Sequence, residues 1–184
     1  MAASECARFA QSAPWSQGEA IMFYIAVLLF LGVVAARWAS WREAERHGDT
    51  VSTRRWEISV FYRDDEFIGW VTSGAPSLDG YARVLAPFDF ALFVCLTGAL
   101  AAASLAAAEA LHFPQSGRWV LVLIPLAYGA ADFVEDRILL RLIAAGGASQ
   151  SEVLGLKKAT LMKFVTLGAA VGQTLILLLW LVVA

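Results

Sequence analysis

The sequence predicts an all-α membrane protein, a four-transmembrane-helix bundle whose first two helices are joined by a cytoplasmic connection carrying short interfacial structure. Three observations predict it: long apolar stretches, a scarcity of charge, and a lopsided placement of lysine and arginine. Of 184 residues, 59% are hydrophobic and only 16% charged, where a soluble domain has about a quarter of its residues charged. Mean hydropathy is +0.64. The charges cluster, leaving stretches with none, which marks lipid as the solvent. The chain reads as a single membrane domain, 1–184, with spans near 20–38, 87–110, 118–144 and 158–183 and a connection over 39–85. A net charge of −2 points to no nucleic acid. The expected partners are the lipid bilayer and a second membrane protein or a second copy of the chain.

The first, second and fourth spans follow from length. Ala20–Ala36, Phe90–Ala108 and Phe164–Ala184 are uncharged for 17, 19 and 21 residues, close to the roughly 20 helical residues a bilayer core needs. The third is different. Trp119–Ala131 is uncharged for 13 residues before Asp132, Glu135, Asp136, Arg137 and Arg141 arrive. Its apolar pattern continues through Phe133, Val134, Ile138, Leu139, Leu140, Leu142 and Ile143, so one helix is expected from about Trp119 to Ala144, broken at Gly146-Gly147. The start of the chain, Met1–Glu19, lacks the cationic beginning of a secretory signal, so the first span is expected to be retained.

Orientation follows from cations. Of 14 Lys and Arg, seven (Arg37, Arg42, Arg46, Arg54, Arg55, Arg63 and Arg83) lie between spans one and two. Five more, Arg137, Arg141, Lys157, Lys158 and Lys163, flank the connection between spans three and four. Arg8 and Arg118 alone remain for the other side. The positive-inside rule then places connections 37–85 and 145–157 in the cytoplasm and both termini outside. Trp38, Trp41 and Trp119 sit near span ends, as interfacial anchors do.

Within the long connection, Trp41–Arg46 is expected to prolong the first helix, and Trp56–Tyr62 alternates like a strand. Arg63–Val71 has two readings: the return strand of a hairpin, or a short helix capped by Asp64 with Phe67, Trp70 and Val71 on one face. The acidic start favours the helix. Ser73–Pro76 reads as a turn, and Pro87 as the first turn of span two.

The third span carries the feature with chemical content. A carboxylate at mid-span costs roughly 2.5–3.5 kcal/mol on insertion scales. At about 100° per residue, Tyr128, Asp132, Glu135 and Asp136 share one face, while Arg137 and Arg141 project to the other and are expected to snorkel to lipid phosphates. None of the three acids has a cation three or four residues away, and Asp132 and Asp136 form an unfavourable i, i+4 pair. Neutralisation must come from another helix, water or a proton. Asp89 and Lys163 open spans two and four at the same end, with Tyr81 and Arg83 just below Asp89. The expected site therefore comprises Asp89, Tyr128, Asp132, Glu135, Asp136 and Lys163, with Tyr81 and Arg83 secondary and Lys163 as counter-ion to Asp132 or Glu135. It reads either as an ionic network fixing helix register or as a site for a proton, cation or polar headgroup.

No catalytic residue, cofactor or metal is expected. His47 and His112 fall on opposite sides, and Cys6 and Cys95 lie far apart, so no disulfide and no metal-ligand spacing arises. Gly168 and Gly172 form a GxxxG in span four, and Gly98, Ala101, Ala102 and Ser104 line span two. Such small residues allow close approach, expected here within the bundle, with dimerisation as the other use. Gln173 and Thr174 are expected to hydrogen-bond across helices.

From Tyr62 to Leu178 the chain resembles an uncharacterised family of small four-transmembrane-helix bacterial membrane proteins. The resemblance rests on Tyr81 followed by Asp89, on Pro125-Leu-Ala-Tyr-Gly-Ala-Ala-Asp-Phe-Val-Glu135, and on Lys163 opening span four. The family pattern in span three looks like Asp-x-x-Glu-Asn; here Asp136 stands where Asn is usual and adds a negative charge. The resemblance implies a bacterial plasma membrane and a helix over 64–72, and no activity. The functional expectation is a non-enzymatic scaffold, accessory or binding protein with a buried acidic/Lys site. The alternatives are a small proton- or ion-coupled carrier or channel using Asp132 and Glu135, and a membrane enzyme acting on lipid at the cytoplasmic interface.

Overall fold

The computed structural model describes residues 17–46, 61–74 and 76–183. No strand occurs among the described residues. The helices are α1 (Gln17–Arg46), α2 (Asp64–Thr72), α3 (Pro76–Val84), α4 (Phe90–Ala110), α5 (Gln115–Ala145) and α6 (Gln150–Val183), with a π-helical turn, Leu85–Asp89, joining α3 to α4. Four stretches, Ala20–Arg46, Leu78–Ala110, Gln115–Ala145 and Gln150–Val183, are long and apolar enough to cross a membrane. At 1.5 Å per residue, helices of 30 to 34 residues reach about 45–50 Å, beyond the roughly 30 Å hydrocarbon core. Their ends therefore have length to spare for other packing.

α4 is the central element, touching α1, α5 and α6. Its alanines explain why: Ala99, Ala102, Ala106, Ala107 and Ala108 are buried, and small side chains let neighbouring helices approach. α1 packs mainly on α4 and leaves Tyr24, Leu28, Phe30 and Leu31 more than half exposed. The close contacts of small residues are Gly32 against Cys95, Gly98 against Leu29 and Gly129 against Thr97. Gly168 and Gly172 are not among them, because a Cβ at either would meet nothing within 4 Å. That corrects the expectation that the GxxxG of the fourth span serves packing inside the bundle.

At one end the surplus helix length folds into a cap. Tyr62, Phe67, Trp70, Val71, Leu78, Tyr81 and Leu85 pack on Leu139, Leu142, Val153 and Leu156 from the ends of α5 and α6, with Ala44 of α1. Full burial of a Leu, Val or Phe side chain contributes about 1.5–3 kcal/mol each against water. Tyr62, Phe67, Trp70 and Tyr81 meet ring to ring in succession, at centroid separations of 5.4, 6.0 and 5.3 Å. The helix over 64–72 is thus the favoured reading, and the hairpin is excluded. The apolar stripe Phe67, Trp70, Val71 faces the cap core, and Asp64, Asp65 and Glu66 occupy the positive end of the helix dipole. The strand expected at Trp56–Tyr62, together with Cys6, His47, Arg54 and Arg55, falls wholly or largely outside the described residues.

The ends of the long helices obey local rules. α5 closes at Gly146, φ 63°, whose amide donates to Ile143 O. α4 closes on His112, φ 58°, where His112 N donates to Glu109 O and Phe113 N to Ala108 O, the paired bonds of a Schellman ending. α6 begins at Gln150, eight residues before the expected 158, so the connection it shares with α5 shrinks to Gly146–Ser149. The cause is a capping box: Ser149 N and Oγ donate to Glu152 Oε2 at 2.9 and 2.8 Å, and Glu152 N donates to Ser149 Oγ at 3.3 Å. The two prolines inside these helices are also accommodated. Pro87 falls in the π turn, which absorbs its missing N–H and ring bulk. Pro125 leaves the carbonyl of Leu121, four residues earlier, without its helical donor, and Gln173 Nε2 of α6 donates to that oxygen at 2.7 Å. The same Nε2 reaches Ser104 Oγ at 3.2 Å, and Ser104 Oγ lies 3.1 Å from Thr174 Oγ1. Gln173 and Thr174 therefore tie α6 to α4 and α5, as expected.

Candidate functional site

One helical face carries Tyr128, Asp132, Glu135 and Asp136, and in the folded chain that face turns inward: all four are buried, Glu135 completely. Their partner comes from α6. Lys163 Nζ stands 2.8 Å from Asp132 Oδ1 and 2.5 Å from Glu135 Oε2. The expected choice between Asp132 and Glu135 is therefore not a choice, since the lysine bridges both. Thr160, one turn before Lys163 on α6, donates its hydroxyl to Glu135 Oε1. Glu135 is thereby held at both oxygens by the same neighbouring helix. Two carboxyl groups thus share one ammonium.

Two more carboxyl groups stand toward the π turn. Asp136 lies beside the Asp89 carboxyl at the end of the π turn, and Asp89 also faces Asp132 and Tyr128. Asp132 Oδ2, Asp136 Oδ1 and Asp89 Oδ2 are buried where no hydrogen-bond donor of the described residues reaches them. Thr97 Oγ1, packed against Gly129 one residue beyond Tyr128, is a fourth such atom. Four carboxyl groups thus converge from the π turn and α5 around a single ammonium from α6.

The expected members divide accordingly. Asp89, Tyr128, Asp132, Glu135, Asp136 and Lys163 come together. Tyr81 instead stands in the cap core, edge-on to Trp70. Arg83 is exposed and makes no ion pair among the described residues, so it is no part of the site. Its position just before the π turn rotates it away from the face that Asp89 presents. Arg137 and Arg141 point outward, Arg137 over the ring of Phe133 at 5.1 Å and Arg141 within 3.4 Å of Glu152.

Two residues join the site that the sequence did not single out. Thr160 is one. The other is Tyr62, which closes the site from the cap: its phenol is pushed up from the ordinary tyrosine range, chiefly by burial, then by the nearby charges of Glu135 and Asp64. Its backbone is fixed by Lys157 Nζ, which donates to Tyr62 O at 2.7 Å and to Asp64 Oδ1 at 2.6 Å while lying 4.7 Å from the Tyr62 ring. The i, i+3 spacing of Thr160 and Lys163 was a readable signal for one shared helix face. Nothing local marked Tyr62.

Chemically, the arrangement holds charge and accepts hydrogen bonds. No group of three or more His, Cys, Asp and Glu is disposed to hold a metal ion among the described residues. Comparison with protein-family models, with curated proteins and with solved structures finds no match for this chain.

Proposed function

We propose that the chain is a multi-pass protein of the bacterial plasma membrane, a non-enzymatic scaffold, accessory or binding protein whose buried acid–lysine site fixes α5 and α6 in register. The single observation that carries this reading is Lys163 seated between Asp132 and Glu135, with all three side chains less than a tenth exposed. A carboxylate at the depth of Asp132 is costly unless it is paired, and the pairing couples α5 to α6. Both termini lie outside, and the α1–α2 and α5–α6 connections lie in the cytoplasm, as the excess of Lys and Arg on that side favours. The cap of α2 and α3 is then the cytoplasmic contact surface for a partner. A bacterial source and a kinship with the small four-helix family rest on the Asp132–Glu135 pattern and Lys163.

A carrier of protons or cations is the second reading. It is favoured by the surplus of acceptors: Asp132 Oδ2, Asp136 Oδ1 and Asp89 Oδ2 are buried and face no donor of the described residues.

One pair of measurements tests the proposal. Purified protein in liposomes is expected to pass no proton current above empty vesicles, while Asp132→Asn with Glu135→Gln lowers its stability in detergent. A wild-type, pH-dependent flux that the same changes abolish overturns the scaffold reading in favour of the carrier. Orientation is read by a cysteine at position 150 in an otherwise cysteine-free chain. An impermeant maleimide added to cells with an intact inner membrane leaves it unmodified if the proposal holds, and labelling reverses the topology.

A further inference from the structure

We propose that the outer face of α5 around Arg137 and Arg141 binds an anionic phospholipid, its phosphate held by the two guanidinium groups and its acyl chains lying beside Phe133. The inference rests on the membrane reading above and goes beyond it in naming a ligand.

α5 sorts its charges by face. The acids turn inward to Lys163, and the two arginines, four residues apart and both exposed, stand on the surface where Phe133 and Val134 are also exposed. Arg137 makes no ion pair among the described residues and lies over the Phe133 ring. Arg141 reaches Glu152 at 3.4 Å, both groups well exposed, and such a pair contributes little. Glu152 is in any case engaged by Ser149 in the capping box. Two cations on a greasy surface thus lack a strong anion of their own.

Depth supplies one. Counting from Trp119 as the anchor at the opposite face, a core of roughly 30 Å ends about 20 residues later, near Leu139. Arg137 and Arg141 straddle that level, where phosphates lie and where long cationic side chains extend. A guanidinium pairs bidentately with phosphate.

The surface beside them is shaped. A hollow of about 500 Å³ is lined by Phe133, Val134, Arg137, Ile138 and Arg141. A smaller one, about 210 Å³, lies on the other side of Phe133 and Arg137, with Ala86, Phe90, Asp136 and Leu140 as its remaining walls. Phe133 and Arg137 line both, so they form the ridge between them. The ridge is braced: Phe133 meets Phe93 edge-on at 6.2 Å, and Phe93 meets Phe90 at 5.0 Å. A wall already in place spares part of the ordering cost of binding. Arg141 lines only the larger hollow, and Asp136 stands in the smaller one, which places the headgroup on the Arg141 side and leaves the smaller hollow to an acyl chain.

The test is native mass spectrometry of delipidated protein titrated with phosphatidylglycerol or phosphatidylcholine. Wild-type protein is expected to retain phosphatidylglycerol preferentially, a result that needs no variant. Each arginine near an anionic headgroup is worth about fivefold in affinity, so Arg137→Gln with Arg141→Gln removes about thirtyfold, down to the phosphatidylcholine level. Equal retention of the two lipids by wild type, or unchanged phosphatidylglycerol binding in the double variant, overturns the site. Displacement of the lipid by inorganic phosphate overturns the lipid identity in favour of a soluble anion. Carbonate extraction keeps the two proposals apart. A chain released from membranes loses the membrane reading, whereas a retained chain without lipid preference loses only this site.

Discussion

Replacing Lys163 by methionine isolates the charge at the centre of the molecule. Methionine keeps an unbranched, flexible side chain and removes the ammonium that stands 2.8 Å from Asp132 and 2.5 Å from Glu135. Two carboxylates on successive turns of α5 would then share a buried site with no cation. Removing one partner of a buried ion pair costs about 3–5 kcal/mol. Here Thr160 still donates to Glu135 and the lysine is not wholly enclosed, so the lower end, about 3 kcal/mol, is expected. The loss should be conditional. In a background of Asp132→Asn and Glu135→Gln the site holds amides instead of carboxylates, and Lys163→Met should cost about 2 kcal/mol less there than in wild type. Reversible unfolding in mixed micelles, followed by circular dichroism, measures both quantities. The reasoning fails if Lys163→Met lies within about 0.5 kcal/mol of wild type, or if its cost is the same in both backgrounds.

Two further predictions use the same assay. At Gly129 a Cβ would stand 2.7 Å from Thr97 Oγ1 and 3.2 Å from its Cγ2, a short branched side chain with little room to yield, so Gly129→Ala should cost about 1–3 kcal/mol. Gly168→Ala, with nothing within 4 Å, should be neutral or stabilise by up to about 1 kcal/mol through helix propensity; equal costs at both glycines would contradict the packing described. Gln173→Leu should cost about 1 kcal/mol by leaving Leu121 O without a donor, and the cost should shrink in a Pro125→Ala background, where the helix supplies its own amide. An undiminished cost there would show that Gln173 acts through Ser104 instead.

The four long helices were legible because uncharged length is a property of sequence alone. The pairing of Lys163 with the α5 acids was legible for a related reason: alternating spans bring the start of the fourth beside the charged end of the third, and Lys163 is the lysine that lies within its apolar stretch. The helix of the fourth span runs on beyond the expected span, through Lys158, Lys157 and Glu152. The Ser149–Glu152 spacing that starts the helix was present in the sequence. Helix rotation was harder. GxxxG is a pattern without a direction, and only packing on the alanines of α4 decides that Gly129 faces a neighbour while Gly168 and Gly172 do not. Tyr62 was illegible as a site residue because its place depends on the cap, whose core draws on five separate helices and on Lys157 reaching back 95 positions to its carbonyl. Arg83 was misplaced for the converse reason, since nearness in sequence to Asp89 says nothing about direction across a π turn.

The most direct test is a distance taken in lipid. Solid-state NMR of protein in bilayers, labelled with ¹⁵N at lysine Nζ and ¹³C at glutamate Cδ, should give a strong dipolar contact between Lys163 and Glu135, as an N–O separation of 2.5 Å requires. The contact should vanish in Glu135→Gln prepared with the same labels. A Lys163 signal with no carboxylate carbon near it, and exchanging freely with bulk water, would contradict the account.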